Sequence, residues 1–88
     1  MKNYDISGND LLIEVKSSAN ISSIRLAIGQ LFDYWYSVKG DVEPRLSVLV
    51  PNEPNDHVKK LLDWLNIGLL WLSEDKLQTS SDQLKHLL

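Results

Sequence analysis

The sequence predicts one α/β domain in which helices flank a mixed β-sheet. Short apolar runs typical of strands alternate with longer segments that carry apolar residues at helical spacing. Gly, Asn and Pro separate these segments, as they do at turns. The 88 residues include 43% hydrophobic and 24% charged residues, which is typical of a globular protein. No linker divides the chain, so we expect a single domain over residues 1–88.

The first half of the chain predicts a β-hairpin followed by a long helix. Strands are expected over residues 2–7 and 11–16, joined by a tight turn at residues 8–9, because Gly and Asn accept positive φ. After a stretch rich in Ser and Asn, apolar residues recur at steps of four, three, four and three. This spacing predicts a helix over residues 22–39. Its apolar face consists of Ile24, Ile28, Leu31, Trp35 and Val38.

The second half predicts two buried strands with a helix between them. Residues 46–50 and 67–72 are nearly uninterrupted apolar runs, LSVLV and IGLLWL, as expected for strands buried on both faces. Pro54 is suited to the start of the intervening helix. The apolar face of that helix consists of Val58, Leu61, Leu62 and Leu65. With a short terminal helix over residues 81–88, the predicted order is β-β-α-β-α-β-α, and it implies a mixed sheet.

The composition excludes several classes of protein. The absence of cysteine excludes disulfides and thiolate metal sites. The net charge of −3 argues against a protein that coats nucleic acid through bulk charge, but it leaves room for local binding through metals and a few contacts. No apolar run is long enough to span a bilayer, and the first residues carry no apolar signal segment. We therefore expect a cytoplasmic protein with no membrane partner.

Two charged residues interrupt the strand predicted over residues 11–16. Glu14 and Lys16 are two positions apart, so they share one face of the strand with Leu12. An unpaired charge in a core-like strand is costly and needs an explanation. Two explanations are open at this point: the two side chains are solvated neighbours on the surface, or they belong to a functional site.

The predicted hairpin adds Asp5 to the same face. With the turn at residues 8–9, Asp5 lies opposite Leu12 and diagonal to Glu14, and with the turn at residues 9–10 it lies directly opposite Glu14. Opposed and diagonal residues are about 5 and 7–8 Å apart, which allows a shared divalent cation. Asp10 has the right parity, but it is about 13 Å along the strand from Glu14, too far to share that cation.

Oxygen ligands of this kind favour a hard cation. The carboxylates of Asp5 and Glu14, together with the backbone carbonyl of Val15 and water, suit Mg²⁺ or Mn²⁺. The ammonium of Lys16 is suited to positioning or activating an attacking water, or to neutralising charge on a phosphate in the transition state. The arrangement therefore indicates phosphodiester hydrolysis.

The same residues resemble the PD-(D/E)xK nuclease superfamily. Asp5 is followed nine positions later by Glu14-Val15-Lys16 at the end of an apolar strand, and the next helix contains Gln30 and Tyr34, similar to the QxxxY element of RecB-like exonucleases. The resemblance covers residues 5–72. It implies a restriction-endonuclease-like core in which Asp5 and Glu14 bind the metal and Lys16 is catalytic. It further implies that Gln30 and Tyr34 contact the nucleic acid or steady the site.

The sequence departs from the family pattern near its start. Tyr4 stands where the family name has proline, and only four residues precede Asp5, whereas the family core normally has a further helix and strand there. We therefore expect that the usual N-terminal helix and strand are missing. A homodimer, or another chain that supplies these elements, would complete the fold. Arg25 is a further candidate phosphate contact, and a surface ion pair is its alternative role.

The function predicted from the sequence is that of a Mg²⁺- or Mn²⁺-dependent nuclease acting on DNA, alone or as a module of a larger assembly. The alternative is a non-catalytic domain that binds nucleic acid or protein and retains the nuclease fold. A third possibility is a small regulatory protein with an unrelated α/β fold. In that fold Asp5, Glu14 and Lys16 would lie apart.

Overall fold

In the part of the chain that the structure describes, five strands form one mixed sheet, and two helices connect its parallel strands. The computed structural model describes residues 2–6, 9–38, 44–81 and 84, with side chains for residues 11–37, 44–81 and 84. The elements are β1 (Lys2–Ile6), β2 (Asn9–Val15), α1 (Ile21–Val38), β3 (Arg45–Val50), α2 (Asp56–Trp64), β4 (Gly68–Ser73) and β5 (Lys76–Thr79). The predicted α/β class with a mixed sheet and the order β-β-α-β-α-β are confirmed, and β5 follows as an additional strand.

The strands lie in the sheet in the order in which they occur in the chain. The central strands β2, β3 and β4 are parallel, while β1 pairs antiparallel with β2 and β5 pairs antiparallel with β4. The helices α1 and α2 are the crossovers between the parallel strands, which require connections of this length. Both helices therefore begin near the edge where the parallel strands end, which we call the carboxyl edge.

Asparagine residues begin both helices. The Asn20 side chain accepts a hydrogen bond from the Ser23 amide at 2.8 Å, and the Asn55 side chain accepts one from the Val58 amide at 2.9 Å. Each bond satisfies a backbone donor that the first helical turn leaves without a partner. The chain leaves α2 through Asn66, whose φ of 59° is in the left-handed region that Asn tolerates well.

Both helices pack on the same face of the sheet, which we call the helix face. Its core contains residues from α1, α2 and the strands: Leu12, Ile24, Ala27, Leu31, Leu46, Val48, Val50, Val58, Leu62, Ile67, Leu69 and Trp71. The predicted stripe of α1 does pack here, with Ile24 and Leu31 fully buried and Ile28 and Trp35 partly buried. Each large side chain contributes about 1.5–3 kcal/mol on burial, so this core fixes the rotation of both helices.

The opposite face of the sheet, which we call the far face, is covered less completely. Leu11, Leu70 and Leu84 form a small buried cluster there. Val15 and Leu72 on this face are 49% and 45% exposed. The prediction that the strands after α1 and α2 are buried on both faces is therefore correct for most of their length and wrong at Leu72.

Other sequence expectations are corrected or left open. The strand β5 was not predicted, because its sequence KLQT contains only one apolar residue. It pairs with β4 through a tight turn at Glu74 and Asp75, both of which have positive φ. From the sequence, Trp64 is a core candidate because it is a large apolar residue beside the apolar face of the second helix, but in the structure it is 82% exposed. The helix expected over residues 81–88 lies outside the described residues apart from Ser81 and Leu84. Neither described helix is long and apolar enough to cross a membrane.

Candidate active site

Glu14 and Lys16 lie at the carboxyl edge of the sheet. Glu14 is the penultimate residue of β2, and Lys16 follows its end. In open α/β sheets, ligands bind in the crevice outside the carboxyl ends of the strands, because the connecting loops and the helix N-termini converge there. The position of Glu14 and Lys16 in the fold is therefore the position in which this architecture places binding and catalytic groups.

The side chain of Glu14 is buried on the helix face. Glu14 is 6% exposed and pairs in register with Val48, which is fully buried in the helix-face core. Its Oε1 atom lies 3.6 Å from the Lys16 Nζ atom. Its Oε2 atom is buried and has no hydrogen-bond partner among the described residues. The alternative that Glu14 and Lys16 are solvated surface neighbours is therefore wrong for the carboxylate.

A buried carboxylate oxygen without a donor is energetically unfavourable. The cost of an unsatisfied buried polar group is about 1–3 kcal/mol and is larger for a charged one. Such a group is a natural position for a cation or a bound water, which would replace the lost hydration. The observation fits a metal-binding role for Glu14.

The backbone of Val15 supplies a second oxygen. The Lys16 amide donates to the Leu49 carbonyl at 3.0 Å, so the backbone groups of Lys16 face β3 and those of Val15 face the β1 side. The described pairing of β1 begins with Lys2 opposite Ile13, two residues before Val15. Within the described part of the chain, the Val15 carbonyl therefore lies beyond the end of β1, free of strand pairing and able to coordinate a cation.

The hairpin register differs from both registers expected from the sequence. Asp5 pairs with Asp10, not with Leu12 or Glu14. The Cα atom of Asp10 is four residues from that of Glu14, about 13 Å along the strand. The geometric argument for a cation shared by Asp5 and Glu14 is therefore wrong in this register. The side chain of Asp5 lies outside the described residues, so its role as a ligand stays a prediction from the family resemblance.

The candidate residues of α1 lie at different distances from this edge. At 1.5 Å per residue, Arg25 is about 6 Å along the helix from Ile21, whereas Gln30 is about 13 Å and Tyr34 about 20 Å along it. Arg25 and Gln30 are exposed, and Tyr34 is half-buried against the helix-face core. Among the described residues no hydrogen bond joins Gln30 or Tyr34 to Glu14. Their roles stay predictions.

The structure brings one further cation to the carboxyl edge. The Lys59 ammonium forms an ion pair with Glu53 and lies 5.2 Å from the centre of the Trp71 ring. In the sequence, Lys59 stands beside Lys60 on a predicted helix; such a pair can touch phosphates, but solvated surface is the expected role. The sequence carries no signal for the contact between Lys59 and Trp71, because that contact depends on the packing of α2 against β4.

A groove on the surface does not coincide with these charges. It has a volume of about 400 Å³ and lies at the opposite edge of the sheet, where Phe32, Trp35, Arg45 and Asn66 contribute to its lining. The described residues of its lining include neither acid nor histidine. The chemistry of the carboxyl edge therefore carries more weight in assigning the site than the size of this groove.

Comparisons with known proteins do not identify a function, so the assignment of the site rests on the geometry of this chain. No protein-family model, no curated protein and no solved structure matches the chain. Among the described side chains no group of three or more acidic or histidine residues converges to hold a metal. The ligands that the site offers are the Glu14 carboxylate and the Val15 carbonyl, an oxygen set that suits a hydrated Mg²⁺ or Mn²⁺.

Proposed function

We propose that this protein is a metal-dependent nuclease, or the nuclease module of a larger assembly, which hydrolyses phosphodiester bonds of DNA. The observation that supports the proposal best is the buried, unpartnered Oε2 atom of Glu14, beside an ammonium group, at the carboxyl edge of parallel strands. The order β-β-α-β-α-β and the parallel pairing of β2 with β3 agree with a restriction-endonuclease-like core.

Each residue has a defined role in this proposal. Glu14 and Val15 hold Mg²⁺ or Mn²⁺ through one carboxylate oxygen and one carbonyl oxygen. When bound, the cation supplies Lewis-acid stabilisation to the phosphate. The Lys16 ammonium donates hydrogen bonds to a non-bridging phosphate oxygen and offsets the negative charge that develops there. Water attacks phosphorus and loses a proton to solvent, the bond between phosphorus and the leaving oxygen breaks, and the leaving oxygen takes up a proton from solvent.

Other predicted participants belong to the same proposal. Asp5 is the second metal-binding carboxylate of the resemblance, Gln30 and Tyr34 contact or steady the substrate strand, and Arg25 contacts a phosphate near the start of α1. The partner is DNA, together with a second copy of the chain or another chain that completes the sheet beside β1. β1 is an edge of the described sheet, and an open edge favours such pairing.

A cleavage assay tests the proposal. Fluorescently labelled single- and double-stranded DNA is incubated with the protein and Mg²⁺ or Mn²⁺, and products are resolved by length. We expect Glu14→Gln and Lys16→Gln to reduce the rate about a hundredfold or more, because the first removes the carboxylate that holds the cation and the second removes the ammonium that faces the reacting phosphate. Asp63→Asn and Lys60→Gln make the same chemical changes at exposed positions of α2 and should leave the rate unchanged.

The same assay examines Asp5 and the alternative function. Asp5→Asn should match Glu14→Gln in its effect if Asp5 is the second ligand. The hairpin register separates Asp5 from Glu14, as expected for an unrelated α/β fold, and it thereby favours a non-catalytic function. The non-catalytic alternative that this assay detects is a domain that binds nucleic acid. DNA binding without cleavage by the wild-type protein in either metal would select this alternative and reject the nuclease proposal.

A further inference from the structure

Lys59 lies in the same row of the sheet as the candidate catalytic lysine. The register pairs Val15 with Leu49, so Lys16 comes level with Val50, and Val50 pairs with Trp71. Lys16, Val50 and Trp71 therefore form one cross-strand row at the carboxyl edge. The Lys59 ammonium lies over the Trp71 end of this row.

The row gives the spacing of the strands near the two cations. Neighbouring strands are about 4.8 Å apart, so the Cα atoms of Lys16 and Trp71 are separated by about 10 Å. This separation exceeds the axial step of one nucleotide, about 3.4 Å, and the row is long enough to hold more than one phosphate of the same strand. A strand whose reacting phosphate lies at Lys16 would carry another phosphate toward Lys59.

The contacts of Lys59 hold its ammonium in place at this edge. The buried Trp71 ring attracts the cation through its π-face, and the Glu53 carboxylate pairs with it from the α2 side. Glu53 is exposed, with 56% of its side chain accessible, so solvent screens the pair and its net stabilisation is small. A phosphate oxygen can replace this carboxylate at Lys59 at low cost, because both are anionic oxygen acceptors.

We propose that Lys59 is a substrate-binding residue that holds a second backbone phosphate of the DNA strand whose reacting phosphate lies at Lys16, and that Glu53 competes with this second phosphate. The inference rests on the proposed function, because it requires DNA at the carboxyl edge. Under this inference Glu53 and Lys59 have opposite effects on DNA binding. The Glu53 carboxylate weakens binding, because it pairs with the Lys59 ammonium and repels the phosphate backbone.

The test is a salt titration of DNA binding without cleavage. Anisotropy of a labelled duplex is measured in EDTA, so the result does not depend on catalysis. Each phosphate contact contributes about 0.9 to the slope of log K against log salt. We expect Lys59→Gln to lower that slope by about one contact and to weaken binding about threefold or more, equally for unrelated DNA sequences. Lys59→Arg should retain the wild-type slope.

Two further variants make the test specific to the geometry. Glu53→Gln should tighten DNA binding, because it frees Lys59 and removes a negative charge. Lys60→Gln removes an identical charge from the neighbouring exposed position and should leave the slope unchanged. Equal slopes for Lys59→Gln and Lys60→Gln, or weaker binding by Glu53→Gln, would overturn the inference. Binding that depends on Lys59 in a protein that never cleaves DNA would support the inference while rejecting the nuclease proposal.

Discussion

Two buried polar side chains, one on each face of the sheet, differ in what their surroundings explain. Glu14 on the helix face and Ser47 on the far face are 6% and 0% exposed, and each has a side-chain oxygen without a hydrogen-bond partner among the described residues. The serine hydroxyl is small and neutral, so its cost is about 1–3 kcal/mol at most. The carboxylate is charged, and its desolvation is more costly.

Packing accounts for Ser47. A Cβ atom placed on the adjacent Gly68 would lie 2.7 Å from the Ser47 Oγ atom and 2.3 Å from a terminal methyl group of Leu84. Leu84 therefore sits closely over these two positions, and only small residues fit beneath it. Ser47 satisfies a limit on volume, and its hydroxyl group has no further task in the fold.

No such limit accounts for Glu14. Apart from Lys16, its neighbours on the helix face include the apolar residues Leu12 and Val48, and a hydrophobic residue of similar length would extend the core there. A buried polar oxygen without a hydrogen-bond partner therefore indicates a functional role only at a position that an apolar side chain could also fill. At a position where packing demands a small residue, the same observation has a structural explanation. Residues kept at a cost to stability are typical of functional sites.

The largest effect on stability is expected from Lys16→Met. This variant leaves the Glu14 carboxylate buried without its counter-charge, which should lower the free energy of unfolding by about 3 kcal/mol. The double variant Glu14→Gln/Lys16→Met removes both charges and should recover most of that loss. Urea unfolding followed by circular dichroism measures both values. A loss below about 1 kcal/mol for Lys16→Met would show that the carboxylate does not depend on this lysine.

The far face is expected to respond to added volume. Gly68→Ala forces its new methyl group into Leu84 and Ser47, which should cost about 1–3 kcal/mol. The same substitution in a Leu84→Ala background should cost much less, because the obstructing methyl group is gone. A double-mutant cycle from urea unfolding gives this coupling, and additive losses would contradict the close packing described for Leu84.

The smallest effect is expected from Ser47→Ala. The substitution removes a buried hydroxyl without a partner and keeps the volume nearly constant, so the free energy of unfolding should rise by about 1 kcal/mol. DNA binding and cleavage should be unchanged. A clear loss of stability would mean that the hydroxyl has a partner, and Ser47 would then no longer serve as the contrast to Glu14.

The sequence predicts the order of elements well because apolar spacing is a local property. The α1 stripe and the apolar runs of β3 and β4 specify type and approximate bounds without knowledge of the fold. The register of the hairpin between β1 and β2, by contrast, is not determined by the spacing of apolar residues. Several Gly, Asn and Asp positions near residues 7–10 allow a turn, and a shift of the turn by one residue moves the pairing by two.

The exposure of individual side chains and the contacts between residues distant in the sequence could not be predicted from the sequence either. Trp64 stands beside the apolar stripe of α2, and periodicity alone does not decide which flank of a short helix faces the sheet. The charged pair of β2 was recognised from parity within one strand. The position of Lys59 over Trp71, by contrast, depends on how α2 packs against β4, which no spacing along the chain records.

Paramagnetic Mn²⁺ tests the central claim most directly, because it reports cation binding at Glu14 independently of catalysis. Mn²⁺ is titrated into ¹⁵N-labelled protein while amide resonances are recorded by nuclear magnetic resonance. We predict that the amides of Val15 and Lys16 broaden first in the wild-type protein and in the exposed control Asp63→Asn. In Glu14→Gln these two amides should stay sharp at the same Mn²⁺ concentration. Equal broadening of Val15 and Lys16 with and without the Glu14 carboxylate would contradict the account.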